Sequence, residues 1–330
     1  MTSHAIHAKL GKTSARMEAN SSPLIPKTPL GVDVLPTGSL ALDVALGIGG
    51  VPRGRAVEIF GPPGCGKTTL ALCILRQAQR DGYALFVDAE HGLSPRYARA
   101  CGLDEHTLLL VWPPDGEAAF EILALMLRSK TISAAVVDTV AALAPRAEQF
   151  LPAGETRPEL YEQMLSIGLR RISRTLPQSG AALILLNQTR SRLRRPQSGA
   201  VTTPGGMTLK LHADIRIALQ PLGTVSTAPD RRGLRCQATV VKNRFAPALR
   251  AATLNFVYNE GIARAEDILD AALQIGIVDK PGTIYMLGNQ TLGKGREATI
   301  ETLRQNPDVL EHIETLIRRS LPPRLVSLEG

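Results

Sequence analysis

The run Gly61-Pro62-Pro63-Gly64-Cys65-Gly66-Lys67-Thr68 constrains this chain more than any other stretch. Its glycine–lysine–threonine spacing is that of a loop that cradles nucleotide phosphates. Before it, Ala56-Val57-Glu58-Ile59-Phe60 reads as a buried strand; after it, Leu70 to Arg80 reads as a helix. In that context the loop's backbone N–H groups and the helix N-terminus form a nest for phosphate oxygens. Gly61, Pro62, Pro63, Gly64, Cys65, Gly66, Lys67, Thr68 and Thr69 are therefore candidate contacts for ATP. Lys67 is expected to reach the outer phosphates, and the Thr68 hydroxyl to bind Mg2+. The competing reading is a glycine-rich turn that binds nothing.

A chain built around such a loop is expected to be α/β. Between about residues 40 and 260, short apolar runs alternate with helical patterns. Tyr83 to Asp88, Thr107 to Val111, Ala134 to Asp138 and Ala181 to Leu186 are candidate strands. Gly116 to Ser129 and Glu159 to Leu176 are candidate helices. The alternation predicts a mainly parallel central sheet flanked by helices. Ligands on such sheets sit at the carboxyl ends of the strands. The phosphate loop, Glu90, Asp138 and Gln188 all fall at those ends. Beyond Gly223, Ser226 to Gly233 reads as a polar turn between strands, and from about Ala265 the pattern turns helical around a glycine-rich stretch, Leu287 to Gly295. The domain reading is an N-terminal segment (1–36), partly disordered or docking at an interface, an ATPase core (37–264) and a small C-terminal α/β lobe (265–330).

With 330 residues, 44% hydrophobic and 21% charged, the composition is that of a globular protein, and no apolar run reaches membrane-span length. A net charge of +8 suits a polyanionic partner. The four cysteines, Cys65, Cys73, Cys101 and Cys236, lack paired metal-ligand spacing, which points to a reduced, cytoplasmic setting. The first 30 residues are polar and basic without a signal core, and read as a tail rather than a targeting peptide.

Around the nucleotide, Asp138 ends the run Ala134-Ala135-Val136-Val137, where a carboxylate enters the Mg2+ shell. Glu90, after Val87-Asp88-Ala89, is the candidate activator of the attacking water. Gln188 is the candidate sensor of the γ-phosphate, at the mouth of a loop rich in Arg, Gly, Ser and Thr (189–206). That loop opens with Arg190, Arg192, Arg194 and Arg195, which suit nucleic-acid phosphates. An earlier loop, 145–158, the first of the two in chain order, carries three prolines.

With these residues in hand, the chain resembles the bacterial RecA recombinases. The likeness runs from about Thr37 to Pro307. It rests on Thr37-Gly38-Ser39-Leu40 with Leu42-Asp43, the phosphate loop, Asp88-Ala89-Glu90-His91, Val137-Asp138-Thr139-Val140-Ala141-Ala142-Leu143, Asn187-Gln188, Gly205-Gly206 and Val241-Lys242-Asn243. The resemblance implies an ATP- and Mg2+-dependent helical filament of the chain on single-stranded DNA. The filament pairs that strand with homologous double-stranded DNA and exchanges strands in DNA repair, with an SOS-type repressor as a further partner. It implies catalytic roles for Glu90, Lys67 and Gln188, metal ligation by Thr68 and Asp138, and adenine stacking by Tyr97. It implies that loops 145–158 and 189–206, with Gly205 and Gly206, bind DNA. Lys242 and Arg244 match cations that reach a neighbour's ATP, and Lys294 and Arg296 a loop that guides duplex DNA.

The chain departs from the family at several points. Ser94 stands where the family has an Asp that contacts the base. Pro63 and Cys65 alter the phosphate loop, and Cys65 is expected to be a small structural residue rather than a reactive thiol. Leu151 and Pro158 stand in the first DNA loop where the family uses less constrained residues, and Gln163, beyond the loop, replaces a basic residue. The N-terminal segment lacks the family's clear helix. The C-terminus, with Arg318, Arg319, Arg324 and Glu329, lacks its acidic tail, which is expected to raise basal DNA affinity. Two alternatives remain: a paralogue that binds DNA and modulates recombination without strand exchange, and a hexameric helicase or clock-type ATPase. The DNA-loop glycines and the C-terminal lobe argue against the last.

Overall fold

The computed structural model describes residues 32–152, 155, 157–189, 203–228 and 231–322. The expectations for Arg190, Arg192, Arg194, Arg195, Arg324, Glu329 and the first 31 residues lie outside this set. The chain enters through a short antiparallel pair, β1 (Val34–Leu35) and β2 (Val51–Pro52), around helix α1 (Leu40–Leu46). Val34 and Leu35 are buried in the main core, so the segment up to residue 36 is in part packed structure.

The central sheet is built from β3 (Ala56–Gly61), β4 (Tyr83–Asp88), β5 (Leu108–Val111), β6 (Ile132–Asp138), β7 (Ala182–Gln188), β8 (Ile215–Ala228), β9 (Arg231–Asn243), β10 (Ala251–Val257) and β11 (Gly261–Ile262). Its order is β11-β10-β9-β8-β3-β7-β6-β4-β5. Pairing is parallel from β8 through β3 to β5, and antiparallel from β8 to β11. The sheet is thus mainly parallel, with an antiparallel wing. The expected polar turn at Ser226 to Gly233 is instead largely ladder: β8 pairs with β9 out to Ala228 and Arg231. Main-chain pairing extends through these polar residues because strand pairing does not depend on an apolar side-chain pattern.

The helices that follow are α2 (Lys67–Ala78), α3 (Pro95–Ala100), α4 (Gly116–Arg128), α5 (Pro158–Ser179) and α6 (Gly206–His212). Successive strand residues point to opposite faces. Ala84, Phe86, Val136, Ile184 and Leu186 pack with Leu70 and Ile74 of α2 in one layer. Leu85, Val87, Val137, Leu183 and Leu185 pack with Phe120, Leu123 and Leu169 of α4 and α5 in the other. Both faces are covered, which explains why these strands read as unbroken apolar runs. Side chains cap several of the helices: Ser39 accepts from Leu42 N, and Asp115 from Ala118 N at 2.7 Å.

The C-terminal part comprises α7 (Arg264–Gln274), the hairpin β12 (Ile284–Leu287) and β13 (Gln290–Lys294), α8 (Arg296–Gln305) and α9 (Pro307–Ser320). It is held to the core by a buried carboxylate. Asp267 on α7 accepts from the Ser39 hydroxyl and from Leu40 N at the start of α1. Burial pushes its pKa up to about 7, with the Asp43 and Asp270 charges adding and the two hydrogen bonds opposing.

Candidate nucleotide and DNA site

Four neighbouring strands of the sheet, β3, β7, β6 and β4, each deliver one part of the site at their carboxyl ends. The register aligns Gly61 with Gln188 and Asp88 with Asp138, so the parts stand at one level. β3 runs into the loop, and Gly66 caps α2 at φ +87°. A Cβ there would lie 2.6 Å from the Phe256 ring, so any other residue would have to push that ring aside as well as adopt a left-handed backbone. Gly64, at φ +72°, meets nothing within 4 Å, so the turn of the loop is open for a ligand.

Lys67 is buried, and its Nζ donates to the carbonyls of Gly61 (3.1 Å) and Pro62 (2.9 Å). The Thr68 hydroxyl donates to Asp138 Oδ2 at 2.7 Å. Burial, reinforced by the Glu90 and Asp88 charges, raises Asp138 to about pKa 6 against the Thr68 hydrogen bond and Lys67. A hydroxyl and one carboxylate, both hard oxygen donors, fit Mg2+, which takes one or two protein ligands and completes its shell with phosphate oxygens and water. Among the described residues no cluster of three or more His, Cys, Asp or Glu suits a metal held by protein alone.

Glu90 is exposed, and its Oε1 accepts from Gln188 Nε2 (2.7 Å) and from the Thr139 hydroxyl (2.7 Å). The Ala89 and Glu90 amides donate to the Asp138 carbonyl, fixing the turn after β4 to the end of β6. Thr139 escapes a reading of the sequence for site residues, because a Thr after a strand carries no signal of its own.

Other expected residues take less direct positions. The Tyr97 hydroxyl shares a 2.6 Å hydrogen bond with Thr69 on α2, and Ser94 caps α3. Cys65 is fully buried and its thiol is pushed up by burial, as expected of a structural residue; the Cys236 thiol donates to its carbonyl at 3.0 Å. In the first loop, Arg146 is tied to the Asp115 cap at 2.8 Å, and Pro158 opens α5 instead of bending the loop. Asn187 donates to the Pro204 carbonyl and to buried Glu58, which also accepts from Arg216. This network ties the far end of the second loop to β3. Gly205 and Gly206 then start α6, both at positive φ.

Lys242 and Arg244 lie at the other end of the sheet from the phosphate loop. Gly61 abuts Leu219, whereas Lys242 pairs with Arg216. Three residues of strand separate the two levels by about 10 Å. Lys242 Nζ points further away, donating to the carbonyls of Lys210 (2.7 Å) and Ala213 (2.5 Å), and burial lowers its pKa. Arg244 pairs with Asp214 at 2.8 Å and reaches the Leu211 carbonyl. Both therefore bind the C-terminal end of α6. In the C-terminal part, Lys294 is exposed, while Arg296 forms a two-pronged pair with Asp270.

Comparison with known proteins bears on this arrangement. The model of the RecA N-terminal domain matches residues 4–263, and that of the RecA C-terminal domain residues 266–322. The chain belongs to the RecA family. Among its relatives, "Protein RecA" of Roseiflexus sp. (strain RS-1) is 44% identical over 290 residues, covering 88% of this chain and 82% of the relative. The proteins of that name from Syntrophus aciditrophicus and Thermus thermophilus are 42% and 43% identical. They cover 90% and 87% of this chain, and 88% and 85% of their own lengths. RecA-family membership supports ATP-dependent action in DNA recombination in general terms. Among the described residues no helix is long and apolar enough to cross a membrane.

Proposed function

We propose that the chain is a DNA-dependent ATPase that forms a helical filament on single-stranded DNA and exchanges strands with homologous duplex. The observation that carries this reading is the convergence of Lys67, the Thr68–Asp138 pair, Glu90 and Gln188 at the ends of four adjacent strands. Lys67 would leave the loop carbonyls for the outer phosphates, and Thr68 and Asp138 would hold Mg2+. When bound, Mg2+ would neutralise charge on the β- and γ-phosphates. Glu90 would take the proton of the attacking water. Gln188 begins the second DNA loop, so exchanging Glu90 for a γ-phosphate would couple nucleotide state to that loop.

Lys242 and Arg244 are too far from their own phosphate loop to serve it, which supports action on a neighbour's nucleotide in a head-to-tail assembly. Exposed Lys294 suits duplex phosphates, and the arginines at 190–195 suit the single strand. The test is a strand-exchange assay with matched and mismatched DNA, with Lys67→Ala as the inactive control. The proposed function predicts ATP-dependent product from matched DNA alone. DNA binding and ATP turnover without product would establish the paralogue reading instead.

A further inference from the structure

Two donors converge on a single oxygen of Glu90. Gln188 Nε2 and Thr139 Oγ1 each stand 2.7 Å from Oε1, and among the described residues no hydrogen bond reaches Oε2. The two donors differ in kind. Gln188 ends β7 at the mouth of the second loop, and its side chain is only partly buried. Thr139 is 1% exposed, follows β6 directly, and precedes the short 3-10 turn Val140–Ala142. The same strand end supplies Asp138, whose carbonyl accepts the Glu90 amide. Thr139 therefore holds the Glu90 carboxylate to the end of the strand that carries Asp138, whereas Gln188 holds it to the last residue of β7, where the second loop begins.

We propose that Thr139 is the positioning residue for the catalytic carboxylate. By occupying Oε1 it leaves Oε2 as the atom that takes the proton from water. The inference rests on the proposed role of Glu90 and adds to it which oxygen acts and what aims it. In the step itself, the water oxygen bonds to the γ-phosphorus and one of its protons passes to Oε2. The bond from the γ-phosphorus to the bridging oxygen breaks, leaving ADP and phosphate. When Gln188 turns to the γ-phosphate, Thr139 is the remaining donor on Oε1. An exposed glutamate without it has several rotamers, of which only some aim at the water.

The hydroxyl is one of two donors to the Glu90 carboxyl group, and losing such a bond at a reacting group corresponds to a drop of about tenfold to a hundredfold in rate. The test compares Thr139→Val, which keeps shape and removes the donor, with Thr139→Ser, which keeps the donor. Each is made in the full chain and in a Glu90→Gln background. Steady-state ATP hydrolysis on single-stranded DNA is read as kcat and KM, and binding of a fluorescent ATP analogue reports an intact site.

The expected result is a kcat reduced at least tenfold by Val with KM and analogue binding unchanged, restored by Ser, and a loss of less than about twofold when Val is added to Glu90→Gln. Wild-type kcat in Thr139→Val would overturn the positioning role while leaving Glu90 as base. An equal loss in both backgrounds, or lost analogue binding in Val with Ser intact, would also overturn it in favour of a structural role. A Glu90→Gln variant with wild-type turnover would instead remove the underlying assignment of Glu90.

Discussion

Replacing Lys242 and Arg244 together by Ala separates action within one chain from action between chains. The two cations bind the C-terminal end of α6, at least about 10 Å along the strand from the phosphate loop. Charges separated by a Debye length of about 8–10 Å at physiological salt are largely screened. The double variant should therefore bind ATP as tightly as the parent when alone. On DNA, where a neighbour's nucleotide would meet the cations, hydrolysis should fall by roughly 10³–10⁵, the worth of a cation supplied in trans. Mixing it with Glu90→Gln gives a number to check. A productive interface needs an intact Glu90 from one partner and intact cations from the other. In a randomly mixed, head-to-tail 1:1 filament that holds for about a quarter of interfaces. The assay is ATP turnover on single-stranded DNA as a function of mixing ratio, with co-assembly confirmed by labelled subunits. Turnover near a quarter of the parent rate at 1:1 supports trans action. A flat, inactive curve with mixed filaments present would refute the reasoning, as would loss of ATP binding by the isolated double variant.

Further outcomes are expected from single sites. Because Asp267 is raised to about pKa 7 on folding, its stabilising contribution is complete below the unfolded carboxylate pKa and is lost as pH rises toward 7, by about 1.4 kcal/mol per pH unit in that window. Denaturant unfolding between pH 4 and 8 should show a shallower pH slope for Asp267→Asn than for the parent; equal slopes would contradict the burial argument. Gly66→Ala places a side chain at φ +87° and against Phe256, and should lower stability by about 1–3 kcal/mol and weaken nucleotide binding. Adding Phe256→Leu should recover stability in part, as read by thermal unfolding. Cys65 should resist alkylation by iodoacetamide in the native chain and react only on unfolding, since its thiol is buried and raised. Lys67→Ala should abolish ATP binding or hydrolysis measured with DNA present.

Much of the core is legible in the sequence because both faces of β3, β4, β6 and β7 are covered. Burial on two sides forces continuous apolar runs, and a strand end shows where such a run stops at Asp88, Asp138 or Gln188. What the sequence hides depends on contacts across the fold. Thr139 becomes visible only with β6 and β4 in register, because its partner Glu90 is 49 residues away. The β8–β9 hairpin reads shorter than it is because Ser226, Arg232 and Gly233 are turn-forming or polar types, while the ladder that joins them is main-chain. Arg296 reads as a cation free for duplex DNA, since its acidic partner 26 residues away leaves no mark beside it.

Helix α6 has different clients at its two ends. Its cap Gly205 and first residue Gly206 close the second loop, and its last carbonyls hold Lys242 and Arg244. At seven residues it is about 10 Å of stiff rod, so a push at one end arrives at the other. If the second loop binds DNA and the two cations act in trans, DNA contact at the glycine end of one subunit would be reported to the nucleotide of the next. Information would then travel from subunit to subunit in one direction only. A break in DNA contact would silence the neighbour on one side and leave the other turning over, giving the filament a leading and a trailing end.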